Sequence, residues 1–528
     1  MSLARGVFRG YDGFPARTTY AERVKAMAGA GVAAVLLGAG VGELVAALVA
    51  PASSPIAVVG GTLIDRAPAW AKDAAIALFG TGDKVALVVG IAIVLLALSA
   101  LVGLVEARRP PFGALTFGVL GFAVGILAAG RAGAEALAWA PAITAGVASA
   151  VMLRLLGRRV PQRSTPDAEV RDPDRRRFLV WTGAAGLVGV AAAVGGFAAR
   201  AGSQAVSAAR RAITLPAAAA RAAAVPAGAE LALAGLAPVV TPNADFYRID
   251  TALVVPQLDP AQWSLRIHGL VEEEITLSWD ELIALPLEES WTTLACVSNP
   301  VGGDLIGNAL WLGYPIRHLL DRARPTSDAD MVLSRSVDGF TASTPIEALR
   351  DPSVAAILAV GMNGEPLPDQ HGFPVRMVVP GLYGYVSATK WVTELEVTRF
   401  DRASAYWTDR GWSERGPVKL QSRIDVPRRG AQVAAGDTVI AGVAWRQHVG
   451  IRGVEVQVDD GPWRAASLAP AISTDTWVQW SMPWTADAGP HSIRCRAIDA
   501  RGDTQTEQAA PVAPDGATGW DELSVSVA

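Results

Sequence analysis

Cysteine is nearly absent from this 528-residue chain, which has two, Cys296 and Cys495. They allow one disulfide at most and form no CxxC pair, so a cysteine zinc site or an iron–sulfur cluster is excluded. Lysine occurs only at positions 25, 72, 84, 390 and 419, leaving nearly all positive charge to arginine, a bias that suits a GC-rich genome. The formal net charge is −4, and no basic stretch is interleaved with aromatics, so nucleic acid is not an expected partner. Histidine is limited to 268, 318, 371, 448 and 491.

What is abundant is apolar sequence. Hydrophobic residues make up 51% of the chain, and the mean hydropathy is +0.30. The excess sits in the first two hundred residues, rich in Ala, Gly, Val and Leu. Runs at 27–50, 85–105, 112–130, 135–153 and 178–199 are each long enough to cross a hydrocarbon core of roughly 30 Å. Between the first two, 51–84 carries Pro and charge and reads as an external loop, partly re-entrant. Arg5, Arg9, Arg17, Arg23 and Lys25, then Arg108 and Arg109, then Arg154, Arg158, Arg159 and Arg175 to Arg177 mark the cytoplasmic ends. The fifth span then delivers residues 200–528 outside a plasma membrane. No histidine falls in a span, so no bis-histidine haem is expected there. Glu43 and Glu135 are acids near span ends, to be read as proton or ion sites or as side chains reaching for the interface. The stretch "DRRRFLV" before the fifth run resembles a twin-arginine export signal, with Arg175 and Arg176 as the pair; it reads equally as a cluster of inside charges.

The second half reads differently. Residues 201–240, rich in Ala and Pro, form a tether or packing arm. Trp263, Leu265 and Ile267 share one parity, as in a half-buried strand. Ser278 is a helix N-cap candidate in "SWDELIALP". Beyond 412, short alternating runs separated by turn residues have the spacing of a β-sandwich. Cys495 alternates inward in "SIRCRAID", as a core thiol does. Cys296 precedes Asn299, Gly302 and Gly303 in a turn-prone segment, and three readings stand for it: a metal ligand, a disulfide with Cys495, or a core thiol.

The blocks "DFYR", "TLACVSN", "GNALWLGYPIRHLL", "SVDGF", "MNGEPLPDQHGFPVRMVVPG" and "SATKW" occur in the order of the sulfite oxidase family of molybdopterin enzymes, which the chain resembles over about 243–520. The expected protein is multi-domain. Composition gives a four-span α-helical membrane region at 1–160, a linker with signal and fifth span at 161–200, and the tether at 201–240. The resemblance implies an α+β molybdopterin domain at 241–412 and an Ig-like dimerisation sandwich at 413–528, with a homodimer through the latter. It also implies molybdenum on a single pterin, with Cys296 as the protein thiolate. Asn243, Tyr247, Arg248, Ser336, His371, Arg376, Ser387 and Lys390 would hold the pterin and its phosphate. Arg248 would also meet substrate, and Asp338 would lie near the metal; Trp311 and Trp391 read as core.

Two departures bear on substrate. Pro300 and Val301 follow "CVSN" where sulfite oxidases place arginine, and Val360 or Gly361 stands where they place a tyrosine. Oxygen-atom transfer is therefore the expected reaction, to sulfite or from an S-oxide. Electrons would pass to or from a c-type cytochrome or a quinone-linked membrane protein. The alternative is a surface-anchored binding module built on an inactive molybdopterin fold.

Overall fold

A computed structural model describes residues 16–67, 78, 83–131, 134, 136–160, 173–201, 210–252 and 254–528. Arg5, Arg9 and Glu135 lie outside them. The chain divides into two units, Met1–Ser203 and Gln204–Ala528.

The first unit is helical: α1 (Ala16–Val49), α2 (Pro55–Arg66), α3 (Asp83–Arg108), α4 (Phe112–Ala129), α5 (Ala140–Gly157) and α6 (Pro173–Ala201). Five of these, all but α2, are long and apolar enough to cross a membrane. The fourth such helix starts at Ala140 rather than at 135, because Pro141 fits a first turn, where no intrahelical N–H bond is lost. Within 51–84 the chain forms α2, and Ser54 caps it by accepting from Ala57 N.

Glycine lets these helices touch backbone to backbone. A Cβ on Gly103 would fall 2.0 Å from Met27 O, and one on Gly38 would fall 2.4 Å from Ala145 O. A Cβ on Gly189 would lie 2.4 Å from Leu36 C, and one on Gly196 2.7 Å from Glu43 C. These pairings run α3 and α5 antiparallel to α1, and α6 parallel to it. Arg108, Arg154, Arg158 and Arg175 thus gather at the end where α1 begins. Glu43 is buried and accepts from Ser54 Oγ at 2.7 Å, tying α1 to the start of α2.

In the second unit, residues 213–240 form no helix or strand and run across the surface. Ala219 N donates to Leu287 O, Trp477 Nε1 to Val239 O, and Arg210 Nε to Leu367 O. Two sheets then build the α+β part. In one, β1 (Ser264–Gly269), β2 (Ile275–Ser278), β5 (Met331–Ser336), β6 (Thr341–Pro345) and β10 (Val392–Thr398) take the order β2-β1-β10-β5-β6. In the other, β3 (Glu288–Ala295), β4 (Ile306–Pro315), β7 (Ile357–Met362) and β8 (Glu365–Pro366) follow in sequence, with β9 (Arg376–Val378) on β7. Leu265 and Ile267 share one buried face of β1, and Trp263, the residue before it, is buried in the same core. Ser278 caps a short helix in a reciprocal box with Glu281.

From Gln421 the chain forms two facing sheets of four and five strands around one apolar core that includes Trp480, Trp484 and Cys495. Both cysteines are free thiols, so no disulfide joins them.

Candidate active site

β3 is buried along most of its length and ends one residue before Cys296. There the ladder stops: Cys296 N donates to Leu305 O at 2.9 Å, and Asn299 N donates back to Cys296 O at 3.1 Å. Asn299 Oδ1 accepts from Leu305 N, and Gly302 takes φ +73°, a conformation a side chain would strain. This turn sets the thiol on the wall of a cleft of about 860 Å³, counted to its open mouth. Burial pushes the thiol's pKa up; the Ser298 N–H and hydroxyl, and then Lys390, pull it back.

Tyr247, Ser336, Asp338, Arg376 and Lys390 line the same cleft. The Arg376 guanidinium is buried. It donates to the carbonyls of Met377, His371 and Ala388, and its carbon stands 5.0 Å from the Trp311 ring centre. Among the described residues it makes no ion pair, and burial alone lowers its pKa to about 10. A desolvated cation of this kind calls for an anion. Lys390 donates to Asp250 Oδ2 and Gln370 O, both at 3.0 Å, and burial lowers it to about 8. Ser336 Oγ is buried with no hydrogen-bond partner. Burial holds the Tyr247 phenol far above its usual range. Asp338 Oδ1 accepts from Phe340 N, closing its turn.

The other four candidates do not line the cleft. Arg248 forms a two-point pair with Asp250, at 2.9 and 3.3 Å. Asn243 bonds to Asn363 Nδ2 and Met362 O. The Ser387 hydroxyl donates to Tyr383 O at 2.9 Å. His371 is fully buried and neutral, brought to about 3 by burial and the charges of Lys390 and Arg376. Its Nε2 meets Asn243 O at 3.1 Å, while its Nδ1 has no partner.

Sequence reasoning passed over Asp250, which lines the cleft and joins Arg248 to Lys390. It also passed over an aromatic wall of Phe340, Tyr385, Trp407 and Trp412. Trp407 and Trp412 meet edge to face at 6.1 Å, and Tyr385 lies 5.9 Å from Trp412. The aromatic density of "AYWTDRGW" was the available signal. Trp391, read as core, is 1% exposed yet touches the cleft.

The donor set fits a phosphorylated, metal-bearing group: a soft thiol, an uncompensated buried guanidinium, an ammonium and an orphan hydroxyl face one space. The profile described as "Oxidoreductase molybdopterin binding domain" matches residues 252–407. Sulfite oxidase of Gallus gallus is 29% identical over 324 residues, covering 52% of this chain and 69% of its own. The chain spans less, 58%, of the mouse mitochondrial sulfite oxidase. The "uncharacterized oxidoreductase YuiH" of Bacillus subtilis (strain 168) is 31% identical over 158 residues, covering 30% of this chain and 76% of its own. Among solved structures, the sulfane dehydrogenase SoxCD from Paracoccus pantotrophus aligns over 54% of this chain and 81% of that one, at 23% identity and a TM-score of 0.47.

Proposed function

The chain belongs to the sulfite oxidase-like family of molybdopterin oxidoreductases, and from that premise we propose a membrane-anchored, extracytoplasmic enzyme that reduces a weakly charged S-oxide to a thioether. Electrons come from a separate partner, a c-type cytochrome or a quinone-linked membrane protein. The reaction balances as S-oxide plus two electrons and two protons giving thioether plus water. The five spanning-length helices, with Arg108, Arg154, Arg158 and Arg175 at one end, support the anchor and its orientation. Arg175 and Arg176 open α6 and would serve as its export signal.

Cys296 would give up its proton to become the protein's thiolate ligand, helped by the Ser298 N–H and hydroxyl. Arg376, Lys390 and the Ser336 hydroxyl would hold the phosphate and polar edge of the pterin. His371, neutral and buried, braces Asn243 and the Arg376 segment. When bound, the molybdenum–pterin group supplies two-electron oxygen-atom exchange.

The observation that carries the substrate reading is the charge left in the cleft. Asp250 pairs with both Arg248 and Lys390, and Asp338 supplies a second carboxylate, so two acids stand against these two cations. Facing them stands an aromatic wall. A sulfite dianion needs unmatched cations; a small S-oxide needs an apolar seat and few hydrogen bonds.

Protein purified in detergent from molybdate-replete cells should hold about one molybdenum per chain. It should reduce a methyl aryl S-oxide with reduced viologen roughly tenfold faster than it oxidises sulfite with ferricyanide. Cys296→Ser should hold no metal. Folded wild type without molybdenum, or sulfite turnover ahead of S-oxide turnover, would overturn the reading.

A further inference from the structure

We propose that the groove between α4 and α5 binds one anionic phospholipid, with its phosphate on Arg158 and Arg154. The inference rests on the membrane reading above. The groove measures about 1220 Å³, counted to its open side. Leu115, Val119 and Phe122 form one wall and Val147 and Val151 the other, each more than half exposed. Such a surface is stable only against hydrocarbon. At Gly118 the groove is open, and a Cβ there would meet nothing within 4 Å.

One end is different. Arg154 and Arg158 stand one turn apart on α5, hence on one face, and both line the groove. Arg154 is held there from behind: its Nη1 donates to Glu106 Oε1 at 3.0 Å, and Glu106 Oε2 accepts from Ala114 N at 3.0 Å. Glu106 is buried, whereas the Arg154 side chain keeps 40% of its surface exposed. Two guanidiniums against one carboxylate leave excess positive charge at the groove's end, and most of the Arg154 donor fork remains for a second acceptor.

Length argues for a lipid. From Val147 to Arg158 the helix rises about 16 Å, close to half of a hydrocarbon core of roughly 30 Å. The basic end therefore lies at headgroup level while the apolar walls follow one leaflet's acyl chains. A basic pocket between membrane helices on the cytoplasmic side selects anionic headgroups. A neutral quinone or a zwitterionic lipid would leave that charge unmatched.

The test is lipid retention by the full-length protein in detergent, read by native mass spectrometry with phosphatidylglycerol, phosphatidylcholine and menaquinone. Phosphatidylglycerol should be retained about tenfold over phosphatidylcholine, and Arg158→Gln should cut that preference roughly fivefold. Arg158 is exposed and its loss should leave the helices in place. Val151→Trp, which fills the groove, should lower retention of any lipid. Equal retention of both phospholipids, a preference untouched by Arg158→Gln, or retention of menaquinone instead would overturn the site. Alkaline carbonate extraction separates the premises. Release without detergent overturns the membrane reading and the site together. A detergent-dependent protein with no phospholipid preference overturns the site alone.

Discussion

Lys390 Nζ stands 3.0 Å from Asp250 Oδ2, the same carboxylate oxygen that Arg248 Nε reaches at 2.9 Å. One buried acid thus answers two cations at the cleft. Asp250→Asn would leave Lys390 without its counterion and Arg248 free to turn. Breaking a buried pair costs roughly 3 kcal/mol. The same change should raise the affinity for sulfate as an inhibitor at least about tenfold. Urea unfolding in detergent and sulfate inhibition constants would check both effects.

Arg376 invites the opposite test, since it has no acid to lose. Arg376→Met keeps most of the volume and the contact with Trp311. Removing a desolvated charge stabilises, while orphaning the carbonyls of His371, Ala388 and Met377 destabilises. These offset, so the cofactor-free protein should change by less than about 1 kcal/mol. Molybdenum content, by contrast, should fall to about a tenth or lower, because the phosphate loses a charge-assisted partner. Thermal melts of protein from molybdate-starved cells and elemental analysis of loaded protein separate the outcomes.

How much of this was legible in the sequence differs by scale. Helices of spanning length show in composition, because a run apolar all round is visible residue by residue; the start of the fourth, beside Pro141, is not. The face shared by Leu265 and Ile267 and the Ser278 cap are local patterns and could be read directly. The cleft was not local. Cys296, Arg376 and Lys390 were named through a resemblance, and no pattern ties Lys390 to Asp250, which lie 140 residues apart. Arg248 was named as a substrate cation through the same resemblance, and only the fold shows it closed on Asp250. Trp407 and Trp412 fall at the expected domain boundary, where sequence reading looks for linkers rather than walls.

His371 should make the fold acid-sensitive. Its folded pKa of about 3 lies below its ordinary 6.5, from burial and then the charges of Lys390 and Arg376. The unfolded chain takes up this proton as pH drops through 6.5, and the folded chain does not until about 3. The associated stability is therefore whole above 6.5 and is lost on acidification, at up to about 1.4 kcal/mol per pH unit. His371→Gln lacks this titration. The stability gap between wild type and variant should narrow by about 3 kcal/mol between pH 7 and 4 in parallel urea titrations. A constant gap would mean that the imidazole charges in the folded state.

The aromatic wall should govern substrate binding and leave the cofactor alone. Trp407→Ala or Trp412→Ala should each raise KM for a methyl aryl S-oxide about tenfold, with kcat changed far less. Molybdenum per chain should match wild type. A fall in kcat with unchanged KM would place these rings with the reacting atoms instead of with the substrate's apolar part.

In the helical unit, Gly189 meets Leu36 so closely that a Cβ would fall 2.4 Å from the Leu36 carbonyl carbon. Backbone cannot yield as a flexible side chain does, so Gly189→Leu must push α6 off α1. Gly183, on the same helix, has nothing within 4 Å and provides the control. Gly183→Leu should change thermal stability in detergent little, whereas Gly189→Leu should lower it by several degrees, on the order of 2 kcal/mol or more. If α6 were a signal cut away after export, neither leucine would matter.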